Sequence, residues 1–227
     1  MAAHTEIIDF FGVPACGKST LMEYVCSHYH GNLKITTKND LVKEAKKHPL
    51  WLLTSLPVER LVSGLRLRLA APCDNKRKEI GVLGWPSHAR YYGYALRHTD
   101  YDVILCDHGD IQDFVSLERG DDLHKITKYA DACSRYIDKS LASTYIYCKI
   151  DAKVALERMQ NRGRETGRLD VIKEKKLQLQ EMENEKLRFD FFADMLQKKE
   201  KRFFELDMSE PTETIAEVLL SRCNLFN

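Results

Sequence analysis

The stretch from Gly12 to Ser19 limits the fold more than any other part of this 227-residue chain. It reads Gly12-Val13-Pro14-Ala15-Cys16-Gly17-Lys18-Ser19 and fits G-x-x-x-x-G-K-[ST] at every position. The apolar run EIIDFF, Glu6 to Phe11, precedes it, and a helical pattern carrying Leu21 and Val25 follows. A strand, a glycine loop and a helix in that order let backbone N–H groups converge on phosphate oxygens, and the helix adds its N-terminal partial charge. In this reading residues Gly12 through Thr20 surround the phosphates, Lys18 reaches the β and γ phosphates, and Ser19 ligates magnesium. A chance match arises in on the order of one chain in a hundred, before the flanking strand and helix are counted.

Further apolar runs have the length of strands buried on both faces: Tyr101 to Cys106 (YDVILC), Thr144 to Ile150 (TYIYCKI) and Arg202 to Leu206 (RFFEL), with a weaker one at Leu33 to Thr36. Helical patterns separate them, which predicts an α/β three-layer sandwich around a parallel sheet. Asp151 is placed to cap a helix over Ala152 to Arg162 ending at Gly163, Gly31 to close the helix that begins near Lys18, and Pro211 to open the last helix. Asp170 to Arg202 is charged, with apolar positions at Leu177, Met182, Leu187, Phe189, Phe192 and Leu196, and reads as one or two amphipathic helices covering the sheet. Length and a 44% hydrophobic content favour a single domain over residues 1–227.

Charge excludes several functions. Lys plus Arg total 35 against 34 Asp plus Glu, so the +1 balance supplies no global field for polymeric nucleic acid or an anionic membrane. No apolar run approaches the roughly 20 residues that span a bilayer, and a cytoplasmic location is expected. Seven cysteines without C-x-x-C pairing read as reduced thiols and core packing, with Cys16 set apart by its place inside the phosphate loop.

Two other places carry chemistry. Asp107 ends the run YDVILCD, at the strand end where open α/β sheets bind ligands, and its carboxylate is a second candidate for magnesium; the alternative is a helix-capping role. Asp110 and Asp113 follow it and are candidates for accepting a proton. After Asp151, Arg158, Arg162, Arg164 and Arg168 fall within eleven residues. Arg158 and Arg162 share one helix face at i and i+4, where like charges oppose each other unless an anion lies between them. Guanidinium groups suit bidentate phosphate contact and stabilise charge on a transferring phosphoryl group. Salt bridging to neighbouring acids is the competing explanation.

With these residues the chain resembles the thymidylate kinase and deoxynucleoside kinase branch of the P-loop nucleotide kinases. The resemblance covers EIIDFFGVPACGKST, ILCD, YIYCKIDAKVALERMQNRGRETGRLD and FFELDMSEPTETIAEVL. It implies a five-stranded parallel sheet in the order 2-3-1-4-5, a lid over 158–170 whose Arg158, Arg162 and Arg164 close on the phosphates, and a loop from Asp207 to Pro211 that brackets adenine. Lys18, Asp107 and the three arginines are then the catalytic set, with ATP and Mg2+ as cofactors. The chain departs from the family at two points: Asp107-His108-Gly109 stands where an arginine follows the strand-end acid, and Lys38-Asn39-Asp40 stands where a Glu-Pro signature follows the second strand. Residues 40–100, which form the acceptor side, carry no recognisable family match. The resemblance is compatible with a homodimer.

The expected function is therefore ATP-dependent phosphoryl transfer to a small-molecule acceptor, a nucleoside, a nucleotide or another hydroxylated metabolite. A nucleotide-binding or NTP-hydrolysing regulatory protein is the alternative. A GTPase is disfavoured because Asn75-Lys76 is followed by Arg77-Lys78 without the Asp of N-K-x-D, and a mechanical ATPase because His108, not Glu, follows Asp107.

Overall fold

The computed structural model describes residues 5–29, 31–55, 58–71, 90–117, 123–162, 169–223 and 225. In chain order the elements are β1 (Glu6–Phe11), α1 (Lys18–His28), β2 (Ile35–Thr37), α2 (Lys38–Ala45), α3 (Pro49–Thr54), α4 (Val58–Ala70) and α5 (90–98). Then follow β3 (Val103–Cys106), α6 (Asp110–Leu117), α7 (Leu123–Asp138), β4 (Thr144–Lys149), α8 (Ala152–Asn161), α9 (Lys175–Lys198), β5 (Phe203–Asp207) and α10 (Thr212–Arg222). The strands form one five-stranded parallel sheet in the order β2-β3-β1-β4-β5, flanked by helices on both sides. This is the expected α/β fold and strand order. β3 is wholly buried and β1 nearly so, whereas the edge strand β5 buries only Leu206.

By their contacts the residues fall into two compact units, one made of 1–9 with 33–144 and the other of 10–32 with 145–227. In the first, β3 pairs with β1 in the register Glu6↔Val103 to Asp9↔Cys106, and with β2 from Ile35↔Val103 to Thr37↔Leu105. The second strand thus begins two residues later than the Leu33 to Thr36 run implies, because Lys34 N–H is taken by the Asp102 carboxylate at 2.7 Å and not by a ladder partner. The helices α4 and α7 pack on one another, and the buried Tyr129 hydroxyl donates to the Phe114 carbonyl at 2.7 Å, tying α7 to α6.

The second unit is held by aromatic packing. Phe11 of β1 stacks on Tyr147 of β4 at 5.1 Å with a 3° interplanar angle, and Phe189 of α9 lies 6.0 Å from Phe11. The charged segment is one helix, α9, of 24 residues. Its buried face runs through Met182, Glu185, Phe189, Phe192 and Leu196, alternating three and four residues apart, so Leu177 and Leu187, expected on that face, are exposed. Gly31 does not close α1. That helix ends at His28, and Tyr29 turns extended while its N–H still reaches the Val25 carbonyl. Asp151 caps α8 as expected, accepting from Lys153 N–H at 2.8 Å; the proposed end at Gly163 lies outside the described residues. Pro211 is the cap of α10 and Thr212 its first residue.

Candidate functional site

The phosphate loop belongs to the second unit. Gly12 and Gly17 both adopt positive φ, 150° and 105°, and Ala15 takes φ 59°, so the chain turns sharply, and Cys16 N–H reaches back to the Val13 carbonyl at 3.3 Å. A Cβ on Gly12 would lie 2.5 Å from the Cys148 carbonyl oxygen, so only glycine lets the loop pass this close to β4. Gly17 caps α1, and its carbonyl accepts the first helical bond, from Leu21 N–H at 3.0 Å. Lys18 folds back into the loop: its Nζ donates to the carbonyls of Gly12 at 2.8 Å and Val13 at 3.3 Å and meets Cys16 Sγ at 3.4 Å. Val13 and Cys16 are buried, Pro14 and Ala15 half-buried, and Ser19 and Thr20 exposed at the start of α1. An ammonium among carbonyls and a ring of amides with no side chain over the glycines is a donor set that fits a polyphosphate.

Arg158 of α8 joins this loop. Its Nη1 donates to the Met208 carbonyl at 3.0 Å and to the Cys16 carbonyl at 3.4 Å, linking α8, the turn after β5 and the loop. Asp207 ends β5, and its Oδ1 accepts from Ser209 N–H at 2.9 Å and Ser209 Oγ at 2.7 Å, shaping the turn that leads to Pro211. Those bonds to Ser209 hold the Asp207 carboxyl below its usual range. Arg162 points elsewhere: its Nη2 meets the Asp170 carboxylate at 3.2 Å, the ion pair that sequence reasoning weighed against a phosphate role. Arg164 lies outside the described residues. Lys18, Arg158 and the Asp207–Pro211 turn are therefore brought together, whereas Arg162 is engaged by an acid.

The first unit carries a different charge arrangement at the ends of β1 and β3. Asp107 is half-buried after β3 and His108 is exposed. Asp9, fully inside β1, accepts from Asp110 N–H at 2.9 Å, and Gly109 packs so tightly on its carboxylate that a Cβ there would overlap it. Lys38, the buried first residue of α2, extends Nζ to the His108 carbonyl. Asp110 is buried at the start of α6 and accepts from Ser140 Oγ at 2.5 Å. Burial and, next, the nearby Asp110 charge push the Asp9 carboxyl well up, against the pull of Lys38. Burial pushes the Asp113 carboxyl up to about 7, opposed by Lys38 and reinforced by Asp110. Asp9 and Lys38 were not singled out from the sequence. An acid inside the apolar run EIIDFF was the available signal for the first; nothing local marked the second. Among the described residues no cluster of three or more His, Cys, Asp or Glu has metal-site geometry, and no helix is long and apolar enough to cross a membrane.

No protein-family model matches the chain, and no curated protein matches it in sequence. Solved structures do. A deoxyadenosine kinase from M. mycoides, with the products dCMP and a flexible dCDP bound, superposes with a TM-score of 0.55 at 19% identity, covering 97% of this chain and 100% of that one. The same enzyme with dCTP gives 0.54 at 17% identity over the same shares, and with dATP 0.58 at 16% identity over 96% and 98%. At such identities the likeness speaks for architecture, and it runs the full length of the chain. The fold of this protein is that of the P-loop nucleoside kinases.

Proposed function

We propose that the protein transfers the γ-phosphoryl group of ATP to a hydroxyl of a nucleoside or nucleotide. The observation that carries this is the phosphate loop itself, with Lys18 Nζ among the Gly12 and Val13 carbonyls and Arg158 seated on the same loop at the Cys16 carbonyl. Both are cations placed where polyphosphate oxygens are expected, and both can exchange carbonyl partners for phosphate at little cost. Its fold relatives, which bind dCTP, dATP and dCMP, support a nucleoside-type acceptor.

In the reaction the acceptor oxygen bonds to the γ-phosphorus while the bond to the β–γ bridging oxygen breaks, and the hydroxyl proton passes to a carboxylate. Lys18 stabilises charge gathering on the bridging and γ oxygens, and Arg158 adds positive charge at the loop, with Arg162, once released from Asp170, and Arg164 assigned the same role on sequence grounds. Magnesium, assigned on sequence grounds, would be held by the Ser19 hydroxyl and the Asp107 carboxylate, oxygen donors that suit an ion keeping its waters, and would supply charge neutralisation on the phosphates. Asp107, Asp110 and Asp113 are the candidates to accept that proton. Met208 and the turn from Asp207 to Pro211 are assigned to the adenine, with ATP preferred to GTP.

Release of ADP, measured against a panel of nucleosides, nucleotides and sugars, tests the reading. Turnover stimulated by a nucleoside or nucleotide supports it. ATP hydrolysis indifferent to every acceptor would favour the regulatory alternative, which the replacement of the family's arginine by His108 keeps in view.

A further inference from the structure

The phosphate loop contains a thiol that nucleotide binding does not need. Cys16 is 1% exposed, and Cys148, near the end of β4, is fully buried. Their side chains hydrogen-bond to one another. Gly12 is what brings the two segments into register. Having no side chain, it lies against the Cys148 carbonyl, and its missing Cβ would stand 3.3 Å from Cys16 Sγ. Lys18 Nζ, 3.4 Å from the same sulfur, completes the group.

We propose that Cys16 and Cys148 are a redox-responsive pair whose oxidation to a disulfide closes the phosphate loop to nucleotide. This rests on the reading of Gly12–Ser19 as the nucleotide site.

The chemistry divides unequally between the two sulfurs. The hydrogen bond from Cys148 is the largest influence lowering the Cys16 thiol to about 6, helped by the Lys18 charge against the opposing effect of burial. Cys148 is pushed up, chiefly by burial, and remains a thiol. With a hydroperoxide as oxidant, the Cys16 thiolate attacks the terminal peroxide oxygen and the O–O bond breaks. Cys16 becomes a sulfenic acid, and the alkoxide or hydroxide leaving group takes up a proton. The Cys148 sulfur, losing its proton, then attacks the Cys16 sulfur and expels water. Two thiols have given up two electrons and two hydrogens in total, and the peroxide has become an alcohol, or water, plus one further water. By contrast, burial pushes the Cys106 thiol up with no cation beside its sulfur strong enough to reverse it, and Tyr92 OH donates to it at 2.5 Å.

Such a bond alters the loop. A disulfide holds its sulfurs about 2 Å apart, closer than hydrogen-bonded thiols by roughly 1.5 Å. Drawing Cys16 toward β4 by that amount crowds Gly12, where even an added Cβ would meet the Cys148 carbonyl, and strains the bonds from Cys16 N–H to the Val13 carbonyl and from Arg158 to the Cys16 carbonyl that shape the loop. It also removes the anionic sulfur that Lys18 contacts.

The test uses the full chain treated with hydrogen peroxide, followed by intact mass, disulfide peptide mapping under non-reducing conditions, and ATP affinity by calorimetry. The expected result is loss of two hydrogens, a Cys16–Cys148 linked peptide, at least a tenfold weaker ATP affinity, and recovery with dithiothreitol. Saturating ATP should slow the oxidation. Cys148→Ala should bind ATP as the parent does, form no linked peptide, and lose clearly less affinity than the parent after the same peroxide treatment, read before any reductant is added. Should that variant fail to fold, Cys148→Ser serves, read by the same mapping. Failure of the linked peptide to form, or equal loss of affinity in the Cys148 variants, overturns the proposal. A protein that forms the linkage yet never binds ATP would instead refute the nucleotide-site reading on which the proposal rests, so the two failures are distinguishable.

Discussion

The two units handle charge in opposite ways. In the unit of 10–32 and 145–227, cations rest on backbone carbonyls: Lys18 on Gly12 and Val13, Arg158 on Cys16 and Met208. In the unit of 1–9 and 33–144, buried carboxyl groups of Asp9 and Asp110 gather beside one buried lysine, Lys38. The first arrangement presents positive charge that an anionic ligand can take over from neutral partners. The second keeps its acids buried close to one another, so burial and mutual repulsion shift their protonation. The difference separates a unit whose cations rest on neutral partners from one whose acids are held together in the interior.

The largest effect is expected at Lys18. Because its partners are loop carbonyls and a sulfur, Lys18→Ala removes charge from the reacting phosphates without opening the core, and kcat/KM should fall by about a thousandfold or more while Tm stays within about 2 °C. Activity within tenfold of the parent would break the assignment of this unit.

Glycine substitutions sharpen the comparison. Gly12 is required by a backbone carbonyl and Gly109 by a side chain, that of Asp9. Either glycine changed to alanine should lower stability by roughly 3 kcal/mol in denaturant unfolding. Adding Asp9→Ala to Gly109→Ala should return at least half of that loss, whereas adding Cys148→Ala to Gly12→Ala should return nothing, since the carbonyl remains. Equal rescue, or none in both, removes the distinction.

Arg162 tests whether the cation-rich unit holds all its charge ready for ligand. Its pairing with Asp170 competes with the phosphate role. Arg162→Ala should reduce kcat by on the order of a hundredfold with a much smaller change in ATP affinity. A lower Tm shared with Asp170→Asn, and unchanged kcat, would make it a structural ion pair only.

The smallest effect belongs to the acid unit. The Asp113 carboxyl titrates at 3.8 when unperturbed and at about 7 in the fold, so between these values the folded protein binds the extra proton. Its contribution to stability is complete below about pH 4 and is lost as pH rises through about 7. Asp113→Asn should flatten this part of the stability profile by on the order of 2 kcal/mol, measured by urea unfolding across that range. A parent profile that rises over the same interval would contradict the assignment.

The same contrast explains what could be read in advance. Gly12 to Ser19 is contiguous, so its spacing alone announces a phosphate loop, and strands buried on both faces stand out as unbroken apolar runs. Asp9, Lys38, Asp110 and Asp113 are dispersed along the chain, and only the pairing of β1 with β3 and β3 with β2 assembles them. Lys38 in particular looks like any exposed lysine until α2 starts on it and buries it. The face of α9 was partly legible for the same reason: its apolar residues were visible, but Leu187 differs from Phe189 only in which way the helix turns it.

The sheet order also sets a timetable. Among the described strands β1 is made before its neighbours, β3 and β4, the nearer of which begins at Val103. At about 5–20 residues per second, a ribosome leaves the apolar segment EIIDFF without its partner for roughly 5–20 s. Closing so long a loop before any ladder forms is slow, and an unpaired strand whose Ile7, Ile8, Phe10 and Phe11 are exposed, with only Glu6 and Asp9 to repel other chains, is the kind of segment that meets them first. During synthesis β1 therefore stands without its ladder partner until Val103 has emerged.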